Sequence, residues 1–287
     1  MRPNRYPIFV PSKGRADACL TMRALDRVGL DYRVVVEEPE HDAYAAQVGE
    51  ERILVLPHRD EGLVVTRNWI WDYAQALGTP KFWTMDDNIF GFFRYNRNLK
   101  VPCGDGTFLT CLEDFSDRYA NLPICGMNYF MFVSRKTPVP PITFNTRVYS
   151  NMLIQTDAAG PDGTPYRNEG FYNDDTDLCL RILKDGFCTA LFNAFLIDKQ
   201  RTMTHGGGMT EHYLGDGRWK MADELRRKHP DVTTITRKWG RWQHHVDYRP
   251  FRHNSLERIV DLDRFPKVDN YGMDIYPRTP ARARTAA

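Results

Sequence analysis

Short apolar runs alternate with amphipathic stretches along the first part of the chain. Ile8-Phe9-Val10, Tyr32-Arg33-Val34-Val35-Val36, Ile53-Leu54-Val55-Leu56 and Lys81-Phe82-Trp83-Thr84-Met85 are each stopped by proline, histidine or acidic residues. Runs of this length and β-branched content predict buried strands. Between them Leu20, Ala24, Leu25 and Val28 recur at helical spacing over 18–28, with Gly29 as the stop. Trp69, Ile70 and Tyr73 do the same over 66–76, and a short helix is expected near 42–48. Strands alternating with helices predict an α/β fold with a mostly parallel sheet covered on both faces. Beyond residue 94 the pattern changes. Residues 94–102 read as a polar loop, 124–133 and 148–153 as strands, 135–141 with its three prolines as a connection, and 157–166 as an exposed loop.

Charge changes this picture at the strand ends. Asp86-Asp87-Asn88 follows the apolar strand at 81–85 directly. Adjacent carboxylates repel and raise each other's pKa. A divalent cation shared with a phosphorylated substrate resolves the conflict, and an ordinary solvated turn avoids it. In a parallel sheet, ligands gather at the carboxyl ends of strands. Residues 12–15, Glu37 and 86–88 all fall there. A second acidic run, Asn173-Asp174-Asp175-Thr176-Asp177, opens a helix expected to end at Gly186. Acids suit a helix N-terminus whether or not they do chemistry.

The totals add limits. Hydrophobic residues are 42% and charged residues 26%, with a formal net charge of +2, so no global charge demands a nucleic acid or membrane partner. The charge is uneven, however. Over 218–253, ten Lys and Arg residues interleave with Trp219, Trp239, Trp242, Tyr248, Phe251 and His244-His245. Six cysteines show no metal spacing and read as reduced thiols. No leader-like or membrane-length apolar run is visible, so a cytoplasmic location is expected. The Arg/Ala/Thr/Pro tail after Pro277 is expected to be disordered.

The run Asp174-Asp175-Thr176-Asp177-Leu178, with Arg181, Gly186 and Phe187, resembles a helix-opening signature of nucleotide-sugar glycosyltransferases with the GT-A fold. Asp174 replaces the usual Glu. Asp86-Asp87-Asn88 then looks like the Asp-x-Asp metal motif, with Asn88 departing from its commonest form. The closer resemblance is to TET-associated glycosyltransferases of bacteriophages. It is carried by residues 8–15, Thr66-Arg67-Asn68-Trp69, 83–88, 173–177 and Thr204-His205-Gly206-Gly207-Gly208. The resemblance implies a GT-A domain over 1–250 followed by an extension over 251–287. It implies a nucleotide-sugar donor, UDP-linked by preference, and a DNA acceptor bearing 5-hydroxymethylcytosine made by a TET-like oxygenase.

Roles follow from what glycosyl transfer needs. The leaving diphosphate calls for Mn²⁺ or Mg²⁺, with Asp87 as the first ligand, Asn88 assisting, Asp86 on ribose or metal, and His205 completing the shell. The nucleotide is assigned to Pro11, Ser12, Lys13, Arg15, Glu37, Arg67 and Asn68, although Lys13 and Arg67 read equally as surface cations. Asp175 is the general base, with Asp174 as helper and Asp177 as cap, which makes the reaction inverting. Arg237, Lys238, Trp239, Arg241 and Trp242 are assigned to DNA, with a donor clamp as the alternative. A base carrying the acceptor hydroxyl is expected to leave the stack. The competing readings are a protein or glycan acceptor, and a DNA-binding module with a decayed transferase fold.

Overall fold

The structure is a computed structural model that describes residues 5–136, 138–200, 215–259, 268, 272 and 273. Its centre is a sheet of ten strands. The first half follows the apolar runs closely: β1 (Ile8–Pro11), β2 (Arg33–Val36), β3 (Ile53–Val55) and β4 (Lys81–Met85), joined through α1 (Leu20–Arg27), α2 (His41–Val48) and α3 (Leu63–Ala76). These strands lie in the order β3-β2-β1-β4, all parallel.

The remainder departs from a mostly parallel sheet. The chain continues through β5 (Ile89–Asn96), β6 (Leu99–Pro102), α4 (Thr107–Ser116), β7 (Ile124–Tyr129), β8 (Ile142–Phe144), β9 (Asn151–Gln155), α5 (Asp174–Lys184) and β10 (Thr189–Lys199). β9 runs antiparallel between β4 and β7, and β5, β6 and β8 add antiparallel pairings around β10. The sheet is therefore mixed. Residues 94–102, expected as a loop, fold into the β5–β6 hairpin around Arg97-Asn98, both with positive φ. A two-residue turn of this kind matches the twist of a hairpin. The expected strands at 124–133 and 148–153 form over the shorter or shifted spans of β7 and β9.

Alternation along the strands divides the core. Ile8, Val10, Val34, Val36, Trp83 and Met85 face α1 and α4, whereas Phe9, Val35 and Phe82 face α3 and α5. Successive strand side chains point to opposite faces, so these runs are apolar throughout because both faces are covered. A smaller cluster joins the outer side of α5 (Leu180, Leu183) to Leu225 of α6 (Gly217–Lys228), Val232 and Phe251. Beyond α6, β11 (Thr233–Lys238) and β12 (Arg241–Val246) form a separate hairpin.

One buried acid carries a measurable consequence. Glu113 of α4 is 2% exposed and accepts a hydrogen bond from Trp83 Nε1 at 2.8 Å. Burial, reinforced by Asp117, pushes its carboxyl from 4.5 up to about 7. The folded state thus holds this proton more tightly than the unfolded chain. Its contribution is full below pH 4.5 and is lost as pH rises through 7, amounting to about 3 kcal/mol. Glu113→Gln keeps an acceptor for Trp83 and removes the titration. Urea unfolding at pH 5 and pH 8 should show most of that loss disappearing in the variant. An unchanged pH slope would rule this origin out.

Candidate active site at the carboxyl rim of the sheet

The carboxyl ends of β1, β2, β4, β7 and β10 and the start of antiparallel β9 share one rim. They bring together Ser12, Glu37, Asp86, Tyr129, Lys199 and Ser150. The Asp86-Asp87-Asn88 turn is fixed there from several sides. Asp86 N donates to Ser150 O at 2.7 Å, Thr21 of α1 donates through Oγ1 to Asp86 O at 2.5 Å, and Gln200 N donates to Asn88 O at 2.9 Å.

The cations that meet the acid pair belong to the protein. Asp86 Oδ1 accepts from Arg67 Nη2 at 3.0 Å and Oδ2 from Lys199 Nζ. Burial would raise Asp86, but Lys199 and Arg67 outweigh it and hold the carboxyl at about 2. Asp87 Oδ1 accepts from Arg15 Nη1 at 2.6 Å and Oδ2 from Ser12 Oγ at 2.7 Å. Burial keeps Asp87 above its ordinary value despite Arg15 and Ser12. Tyr44 OH lies 2.6 Å from Ser12 Oγ and accepts from Arg15 N, so the residues after β1 form one network with the acid pair. Pro11 ends β1 beside them. Lys13 Nζ meets Glu37 at 2.7 Å and Asp60.

Arg67 crosses from α3 to α5. Its Nη1 donates to Asp174 Oδ2 at 2.7 Å while Nη2 holds Asp86, and the residue is buried. Asn68 is not turned to this network. Its amide exchanges hydrogen bonds with the Asn168 backbone and pins a loop.

The acids of α5 separate by environment. Asp177 accepts from Arg181 and contacts His229 at 3.0 Å, with Lys228 nearby; these outweigh burial and hold it below its ordinary value. It braces α5 against the end of α6. Asp175 is half-buried, and its Oδ1 accepts from Thr176 N at 2.6 Å. Among the described residues no donor reaches Oδ2. Burial and then the Asp174 charge push the Asp175 carboxyl up. Asp86, Asp87, Asp174 and Asp175 face Arg15, Arg67 and Lys199, which leaves one negative charge in surplus.

The expected metal does not match this donor set. All four oxygens of Asp86 and Asp87 already accept from Arg67, Lys199, Arg15 or Ser12. Among the described residues no three His, Cys, Asp or Glu side chains converge as an ion needs. Asn88 Oδ1 is a buried acceptor with no donor among the described residues, yet a lone amide oxygen is a weak anchor for a divalent cation. His205 lies outside the described residues. As they stand, the carboxylates do not fit a metal.

Sequence reasoning missed several rim residues. Lys199 Nζ also donates to Ser150 Oγ at 2.7 Å, and Tyr129 OH lies 2.5 Å from that hydroxyl. Arg147 stacks over the Tyr149 ring at 4.7 Å. The basic residues expected on DNA sit together on the β11–β12 hairpin, with Arg237 opposite Trp242, Lys238 opposite Arg241, and Trp239 at the tip. Among the described residues no helix is long and apolar enough to cross a membrane.

No curated protein matches the chain. A family model described as TET-Associated Glycosyltransferase matches residues 6–208. That span covers β1 to β10, every rim contact above, and Asp174 to Asp177. The chain therefore belongs to the TET-associated glycosyltransferase family.

Proposed function

We propose that the protein moves a sugar from a nucleotide-sugar donor, UDP-linked by preference, to the hydroxyl of 5-hydroxymethylcytosine in DNA. One observation carries the reading: Asp175 has a carboxylate oxygen that no donor reaches among the described residues and a raised pKa, and it stands at the rim beside the cation-paired acids. The four parallel strands β3-β2-β1-β4 favour a GT-A type of fold. Family membership favours an acceptor that a TET enzyme has hydroxylated.

In this reading the acceptor oxygen attacks the anomeric carbon while Asp175 Oδ2 takes its proton. The bond from that carbon to the diphosphate breaks, and the nucleoside diphosphate leaves with the electron pair. Arg15 and Lys199 supply positive charge toward the leaving group, and Lys13, Glu37 and Ser12 line the nucleotide side. Attack from the face opposite the leaving group inverts the anomeric centre.

The protein, a panel of nucleotide sugars and hydroxymethylcytosine DNA are incubated together, with Mn²⁺ in one arm and a chelator in the other. Digestion and mass spectrometry should find the hydroxymethylcytidine nucleoside heavier by one glycosyl unit. Unchanged nucleosides in both arms, with a glycan or protein acceptor labelled instead, would remove DNA as the acceptor. The metal arms read any contribution from an ion directly.

A further inference from the structure

A cavity of about 580 Å³ opens between α6, the β11–β12 hairpin and Arg147, and most of its lining lies beyond the segment that the family model matches. Its size suits a small organic ligand. Arg147, Arg218, Lys238, Trp242, His244 and Tyr248 line it, and among the described residues no carboxylate does. Arg147 is half-buried and forms no ion pair among the described residues; it rests on the Tyr149 ring with His244 Nε2 at 3.5 Å. Burial, then the Arg147 charge, lowers His244 to about 4, so at neutral pH that imidazole faces the guanidinium uncharged. A partly desolvated guanidinium without a carboxylate is costly unless an anion meets it. Tyr248 OH is a buried hydroxyl at the same cavity with no hydrogen-bond partner among the described residues.

The cavity borders the proposed base. Asn173, two residues before Asp175, forms part of its wall. The charge of Asp175 is felt at Arg147, Tyr149 and Tyr248. At the hairpin tip Trp239 has φ 50° and is 86% exposed, between Lys238 and Arg241. A tryptophan held in the left-handed region and in water gives the fold nothing in return. It suits a partner with flat rings and phosphates.

We infer that this cavity receives one everted nucleotide of the acceptor strand, with its phosphate on Arg147 and its base against Trp242 and Tyr248. The inference rests on the DNA acceptor proposed above. Eversion answers a geometric need, since it brings the hydroxymethyl group, which a paired base presents in the major groove, to the half-buried Asp175 at the start of α5. A pocket lined by cations and aromatic rings offsets the lost stacking.

The test uses the full chain and two probes. One is DNA carrying a single 5-hydroxymethylcytosine beside 2-aminopurine, whose emission rises when its neighbour leaves the stack. The other is UDP. Emission should rise on binding. Trp242→Ala and Arg147→Gln should each weaken DNA binding about tenfold while UDP affinity holds. Arg147→Gln should also reduce the salt slope by about one. Trp242 lies on the exposed hairpin, so its variant should fold like the parent. Unchanged DNA affinity in both variants overturns the inference. So does loss of UDP affinity alone, which would assign the cavity to the donor. Sugar transfer to DNA with silent 2-aminopurine defeats the everted pocket and spares the proposed function. A rise in emission without transfer to any DNA keeps the pocket and defeats that function.

Discussion

Asp175→Asn is expected to lower kcat by about 10² to 10⁴, the usual contribution of a positioned general base. Asparagine matches the volume and can still accept from Thr176 N, so nucleotide binding should persist. Stability should move the other way. Burial and Asp174 raise the Asp175 carboxyl in the folded state. An acid with a raised folded pKa contributes fully below its unfolded value and loses that contribution as pH rises through the folded one. At neutral pH the ionised carboxylate therefore works against folding, and a neutral amide removes the penalty. The variant should melt at or above the parent temperature while being nearly inactive, as is common when a strained catalytic group is removed. The parent's kcat/KM should fall on the acid side at a pH above the ordinary aspartate range. A variant that is inactive because it is unfolded, or one that retains most of its kcat, would each refute the assignment.

The parts of the rim that lie after β1, β2 and β4 were legible because each sits beside an apolar run with a local signature. Ser12, Glu37 and Asp86 need only the strand that precedes them to be recognised. Lys199, Tyr129 and Ser150 were not legible, since they reach the rim through pairings between distant segments. Lys199 arrives because β10 runs parallel to β7, and Ser150 because β9 runs the opposite way between β4 and β7. No local period encodes either fact. The acid run of α5 shows the same limit at closer range. Three aspartates in four residues look equivalent as letters. His229 and Arg181 claim both oxygens of Asp177, Arg67 claims one oxygen of Asp174, and among the described residues only neighbouring Thr176 donates to Asp175. The partners of the acid pair were hidden for a related reason. Repulsion between Asp86 and Asp87 does require cations, but Arg15, Arg67 and Lys199 come from positions that proximity in sequence does not reveal. The β5–β6 hairpin escaped notice because residues 94–102 are mostly polar and none of them is buried, so no apolar run marks the strands there.

Arg67→Met is expected to destabilise the fold by about 3 to 5 kcal/mol, the range for removing one partner of a buried ion pair. The guanidinium spans two elements, with one amino group on Asp86 at the end of β4 and the other on Asp174 at the start of α5. Without it those carboxylates lose their shared cation while Asp175 still stands beside them. Asp86 alone, held at about 2 against an ordinary 3.8, contributes about 2 kcal/mol above pH 4, and this is lost as pH falls toward 2. In the variant Asp86 should instead titrate upward, having lost one of the two cations that hold it down. Protonation of Asp86 relieves the repulsion, so the deficit should be larger at pH 8 than at pH 5. Urea midpoints at both values read this directly. Lysine is not a substitute, because a single ammonium cannot bridge two carboxylates on separate elements as the planar fork does. Arg67→Lys should recover only part of the loss. Against a total stability of about 5 to 15 kcal/mol, the methionine variant stands close to unfolding at 37 °C. Equal midpoints for parent and variant would mean that α3 and α5 are joined by packing of Trp71, Leu178 and Ile182 alone, and that Arg67 is kept for the chemistry at the rim.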